Sequence, residues 1–138
     1  MVVWSYPRGE AIEARGGKDT VYAIDYAARV AQELGADVIK LNVPGVDPEK
    51  LKAAPRAYQR AWTPEEVLRQ VVHSAGRALV IFAGGEKGTH DQMMQKARAC
   101  MEAGATGLIF GRNVWQRPRG DALAVTKEIH ALLQDYGR

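Results

Sequence analysis

The 138-residue sequence has a single cysteine, Cys100, which excludes an internal disulfide and any metal site built from cysteines. It has no apolar run near the ~20 residues that cross a bilayer, so no membrane partner is expected. Its opening, Met1-Val2-Val3-Trp4, lacks a signal peptide's basic start and long apolar stretch, and a reducing, cytoplasmic location is expected. Charge of one sign is scarce too. Nineteen Lys and Arg against sixteen Asp and Glu leave +3, and the basic residues are scattered along the chain. That pattern gives no support for nucleic-acid binding and suits a protein that handles phosphorylated metabolites. His73, His90 and His130 show no ligand spacing, so neither a metal nor another cofactor is expected.

The composition, 46% hydrophobic and 25% charged, is that of an ordinary globular protein. A single domain over residues 1–138 is expected, and a chain of this size buries roughly two-thirds of the surface it exposes when unfolded. It falls short of the roughly 250 residues of a complete eight-stranded α/β barrel.

Short apolar runs of β type alternate with longer helical ones. The runs are Val2–Tyr6, Asp37–Val43, Ala78–Ala83 and Gly107–Phe110, bounded by Gly, Pro or polar turns. The segment Thr20–Leu34 places Val21, Ile24, Ala27, Ala28, Ala31 and Leu34 on one stripe, with Asp19 as the candidate cap and Gly35 as the stop. Thr63-Pro64-Glu65-Glu66 and Thr89-His90-Asp91-Gln92 are capping boxes that open helices ending at Gly76 and Gly104. The last helix, Asp121–Tyr136, is expected to bury Leu123, Ile129, Leu132 and Leu133. Four strand-helix units in succession argue for an α/β fold with parallel strands and right-handed crossovers. Periodicity leaves two architectures open, a small doubly wound sheet or half of an eightfold barrel. The charged segment 44–62 reads as a loop at the C-terminal edge of its strand, with room for a short helix, and 112–119 reads as a solvated connection.

Strand alternation puts Val38, Lys40 and Asn42 on one face and Ile39, Leu41 and Val43 on the other. Lys40 is either a strand lysine that reaches solvent or an amine kept dry enough to attack a carbonyl carbon. Trp4 and Tyr6 share a face of the first strand, either as a core aromatic pair or as a pocket wall and a proton donor. Ala83-Gly84-Gly85 and Gly111-Arg112-Asn113 leave two strands in loops whose backbone can approach a ligand closely; each by itself can equally be a turn. Cys100 and the Met93, Met94 and Met101 group read as core.

Taken together, Trp4-Ser5-Tyr6-Pro7-Arg8-Gly9, Gly35-Ala36-Asp37-Val38-Ile39-Lys40, Ala83-Gly84-Gly85 and Gly111-Arg112-Asn113-Val114-Trp115-Gln116 resemble, in order and spacing, the motifs of archaeal-type class I fructose-bisphosphate aldolases. These belong to the Schiff-base aldolases related to deoxyribose-phosphate aldolase. The resemblance implies that the four units correspond to strands 5–8 of a (β/α)8 TIM barrel. It makes Lys40 the Schiff-base lysine, Tyr6 the general acid/base and Trp4 a substrate-positioning residue, with Gly84, Gly85, Gly111 and Arg112 as the phosphate cradle. The implied reaction is cleavage or formation of a carbon–carbon bond in a ketose phosphate, fructose 1,6-bisphosphate giving dihydroxyacetone phosphate and glyceraldehyde 3-phosphate. Asn42 departs from the family, whose members often carry a basic residue there. So does the absence of the first four strands, which bring an acidic catalytic residue. A half barrel is expected to pair, either as a homo-oligomer or with a separate N-terminal half-barrel chain. The competing expectation is a non-catalytic phosphate-binding or assembly module.

Overall fold

The computed structural model describes residues 1–85 and 88–137. Strand β1 (Val2–Trp4) leads through the short helix α1 (Glu10–Glu13) to α2 (Val21–Glu33) and β2 (Val38–Asn42). The segment after β2 carries α3 (Pro48–Leu51) and a 3-10 turn at Arg56–Tyr58. Then come α4 (Pro64–Ser74), β3 (Leu79–Ala83), α5 (His90–Glu102), β4 (Gly107–Ile109), α6 (Arg112–Trp115) and α7 (Arg119–Asp135). No helix among the described residues is long and apolar enough to cross a membrane.

Local chemistry sets the helix starts. Thr63 and Thr89 each accept from the backbone N–H three residues on, while Glu66 and Gln92 return a bond to the cap's own N–H. The cap of α2 is Thr20, not Asp19: its hydroxyl accepts from the Ala23 N–H, and Asp19 instead offers its carbonyl to the Gly45 N–H at 2.7 Å. That bond, beside a parallel bridge between Thr20 and Gly45, ties the start of α2 to the end of β2.

The strands are all parallel and lie in the order β1-β2-β3-β4, with Trp4, Lys40, Ile81 and Gly107 in successive register. Neighbours in sequence are neighbours in space. A doubly wound sheet changes direction at a switch point and is covered on both faces; this sheet does neither. Its one covered face carries Ile39, Leu41, Val80 and Phe82, each at most 2% exposed, under Ile24, Ala28 and Ala31 of α2, Leu68 and Val71 of α4, and Cys100 and Met101 of α5. The other face carries Val2, Trp4, Lys40, Leu79 and Ile109, and none of these enters the core. The alternation of buried and half-buried residues along β2 is the direct trace of this asymmetry.

Two apolar residues assigned to helix cores are not in them. Leu34, at the end of α2, is 72% exposed, and Leu123 of α7 is 54% exposed, because no described element lies against either flank. Val125, Ile129 and Leu132 take the buried positions of α7, and Val125 and Ile129 pack with Met93 of α5. The stretch 112–119 is not a bare connection either. It forms α6 and buries Asn113.

Segment 44–62 is anchored more firmly than a loop of its charge suggests. Leu51 and Ala54 pack with Val21, Tyr22 and Val67, and the Tyr58 hydroxyl donates to the buried Asp25 carboxylate at 2.6 Å. Burial, followed by the hydrogen bond to Asp25, holds the Tyr58 phenol above its ordinary 10.0.

Candidate active site

The C-terminal ends of the strands open into a cleft of ≈ 730 Å³, and Trp4, Tyr6, Lys40, Gly84, Gly85, Gly111 and Arg112 all line it. Local structure explains why they converge. Ser5 turns outward and donates to the Ala27 carbonyl of α2 at 2.7 Å, so the alternation of an extended chain sends Trp4 and Tyr6 to the opposite side. Lys40 stands beside Trp4 in the register of β1 and β2. Its Nζ lies 3.7 Å from the centroid of the Trp4 ring and 5.6 Å from that of Tyr6. The indole face holds the ammonium by its quadrupole. On the far side no described residue walls the amine in: the lysine is half-buried, and Trp4 itself is 66% exposed. The closed, dry interior that the Lys40 chemistry called for is therefore only half supplied by the described residues, since the sheet curves around one side of the cleft alone.

At the other end, Gly84 and Gly85 follow β3, and Gly111 caps α6 after β4. The Gly84 N–H already donates to the Ile109 carbonyl at 3.0 Å, so Gly84 serves the loop by lacking a side chain: a Cβ there would run into the Phe110 ring. Asn113, 2% exposed, donates to the Gly84 carbonyl at 3.1 Å and accepts from the Gly88 N–H at 3.0 Å. Arg117 reinforces the clamp, donating to the Asn113 carbonyl at 2.6 Å and the Gly88 carbonyl at 3.3 Å. Arg112 reaches across to the Gly85 carbonyl at 3.4 Å. The two glycine loops thus form one braced unit.

Spacing alone did not bring three further cations to this cleft. Among the described residues, Arg8, Lys18 and Lys96 line it with Lys40 and Arg112, against Asp19 as the single carboxylate. Arg8 follows the β1 aromatics, and Lys18 arrives through the Asp19–Gly45 bond described above. Lys96 sits in the second turn of α5, where sequence carries no signal that a side chain will reach the strand ends. Such a concentration of like charge in a concave, partly apolar site attracts anions. The histidines take no part: His90 pairs with Glu128 at 2.9 Å on the helical surface, and no group of three metal-type side chains converges among the described residues. Cys100 is core, and burial pushes its thiol up to about 12.

A parallel, sequentially ordered sheet with a lysine, two aromatics and braced glycine loops at the C-terminal strand ends is the layout of part of an aldolase-type α/β barrel. The chain belongs to the DeoC/LacD family of aldolases, whose family model matches residues 1–117. It is 36% identical over 138 residues to the class 1 fructose-bisphosphate aldolase of Thermoproteus tenax, covering 99% of this chain and 43% of the relative. The class 1 enzyme of Halobacterium salinarum is 36% identical over 117 residues, covering 85% of this chain and 36% of that one. Among solved structures, an archaeal fructose-1,6-bisphosphate aldolase with its catalytic lysine bound to the carbinolamine intermediate superposes with a TM-score of 0.74 at 33% identity, over 99% of this chain and 45% of the other. The chain therefore spans about 40% of the length of the relatives it matches.

Proposed function

We propose that this chain carries the Schiff-base half of a class I aldolase acting on a ketose phosphate, fructose 1,6-bisphosphate being the substrate its relatives suggest. The reading takes the four units as strands 5–8 of a (β/α)8 barrel, with residues 1–138 as one domain of a cytoplasmic enzyme that works once the barrel is completed. The observation that carries it is the position of Lys40 Nζ, 3.7 Å from the Trp4 ring and beside Tyr6, in a cleft rich in cations.

In this mechanism the Lys40 amine adds to the substrate ketone, and loss of water leaves a protonated imine. The positive charge stays on nitrogen, so the Trp4 ring that holds the ammonium continues to stabilise the iminium. The iminium draws in the electron pair of the adjoining carbon–carbon bond as the hydroxyl on the far carbon gives up its proton, the aldehyde departs, and an enamine remains. Tyr6, closing to hydrogen-bond range in the complex, gives a proton to the departing water, takes one back from that hydroxyl and returns it to the enamine. Arg112 and the backbone of the Gly85 and Gly111 loops bind one phosphate, and Gly84 keeps that cradle in shape by leaving room for the Phe110 ring.

The test is to incubate the chain with dihydroxyacetone phosphate and sodium borohydride and weigh it intact. One reduced adduct per chain is expected, and none for Lys40→Ala folded to the same far-UV spectrum. Phosphate-dependent stabilisation without any adduct would favour the non-catalytic binding module instead.

A further inference from the structure

The phosphate site proposed above lacks charge. A phosphate monoester carries about −1.5 to −2 at neutral pH, and Arg112 sets one positive charge against it. Backbone donors do not make up the difference, because two of the N–H groups that the glycine loop offers are already engaged inside the protein. That of Gly84 donates to the Ile109 carbonyl at 3.0 Å, and that of Gly88 to the Asn113 side-chain oxygen at 3.0 Å. The missing charge has to come from a side chain on another element.

Lys96 meets that need. It projects from the second turn of α5, the helix that follows the glycine loop, and lines the cleft together with Val43, Gly84 and Gly85. Val43, Gly84 and Lys96 also line a neighbouring cavity of ≈ 570 Å³ between α4 and α5, and a small apolar gap over Phe82 and Cys100. The lysine thus stands where the three spaces meet, with its stem against apolar residues and its head free to reach the cleft. Among the described residues its ammonium makes no hydrogen bond and no ion pair. Glu65 lines the neighbouring cavity but lies outside ion-pair range. Arg112, by contrast, comes from α6 and reaches the Gly85 carbonyl at 3.4 Å. Two cations from different elements therefore attend one glycine loop.

We propose that Lys96 is the second cation of this phosphate site and the residue that sets the preference for a phosphorylated carbonyl substrate over its unphosphorylated counterpart. It acts as a point charge on phosphate oxygens that the Arg112 fork leaves uncovered, and takes no part in bond making at Lys40. The assignment rests on the phosphate-cradle part of the reading above, and not on the carbon–carbon chemistry.

The experiment compares the wild-type chain with Lys96→Met, which keeps the stem and removes the charge, with Lys96→Arg, and with Lys127→Met on α7 as a control for losing a charge elsewhere. Each is titrated with inorganic phosphate by calorimetry, and the rate of borohydride trapping is followed against dihydroxyacetone phosphate and against dihydroxyacetone. Lys96→Met is expected to weaken phosphate binding about tenfold, the loss of one charged hydrogen bond. Half-saturation by dihydroxyacetone phosphate should rise by the same factor at an unchanged maximal rate. Trapping of dihydroxyacetone should stay as in the wild type, and Lys96→Arg should recover most of the lost affinity. Equal phosphate affinity in wild type and Lys96→Met, an equal loss in Lys127→Met, or a loss shared by dihydroxyacetone would each overturn the proposal, as would a wild type that binds no phosphate. A wild type that binds phosphate but traps no carbonyl compound defeats the carbon–carbon reading alone, and calorimetry then decides the role of Lys96.

Discussion

The two faces of the four-stranded sheet are made from the same residues in alternation, yet they do different work. Ile39, Leu41, Val80 and Phe82 face three helices and are excluded from water. Trp4, Lys40, Leu79 and Ile109, on the alternate positions of the same four-stranded sheet, lie on the face that no described helix covers. The covered face holds the fold together by burial, and the open face keeps its polar and aromatic groups available for a ligand. The division explains how a lysine can stand in the middle of an apolar strand: it occupies the face that the described helices leave uncovered.

The contrast is broken most severely at Phe82. Replacing it with alanine leaves a cavity beneath the helices and should cost about 3–5 kcal/mol in urea unfolding. Leu79→Ala, on the open face, should cost about 0.5 kcal/mol or less at concentrations where the chain is monomeric. Equal losses would mean that the inner face is packed after all. Gly84→Ala is next, at about 2 kcal/mol, because the new methyl must displace the Phe110 ring. It should also abolish the rise in Tm expected when inorganic phosphate is added to the wild type; a variant that rises as the wild type does would free the loop of its proposed role.

Tyr58→Phe tests the covered side, where the phenol bonds to Asp25, and should cost about 1.5 kcal/mol, the low end for a hydrogen bond to a charged group. Because the folded protein holds this phenol protonated, its contribution is whole below the ordinary value of 10.0 and fades as pH rises beyond it. The wild type should therefore lose stability in alkaline solution faster than Tyr58→Phe. Parallel decline of the two would contradict the assignment. The smallest effect is at Cys100, whose buried, raised thiol should resist iodoacetamide in the native state and react fully in urea.

Much of this arrangement is legible in the sequence. The four apolar runs become strands, each one or two residues shorter than its run, and both capping boxes form because their partners lie within one turn. Six of the seven site residues meet because they lie at or just beyond the C-terminal end of a parallel strand, where such ends share one rim. Lys40, in the middle of β2, joins them through its register with Trp4 at the end of β1. What periodicity cannot report is the presence of a neighbour. Leu34 and Leu123 belong to apolar stripes, but a stripe is buried only where another element lies against it, and no described element does so here. Lys96 and Asn113 were opaque for a different reason. Their roles depend on tertiary reach, across from α5 to the strand ends and from α6 to the glycine loop.

Lys18, Lys40 and Lys96 all line the same cleft, and only Lys40 lies against the aromatic pair. Peptide mapping of the borohydride-reduced protein after exposure to dihydroxyacetone phosphate therefore discriminates among them directly. The three-carbon adduct is expected on the peptide that contains Lys40. A modification confined to Lys18 or Lys96, or none in the folded protein, would contradict the assignment of Lys40 as the group that binds the carbonyl carbon.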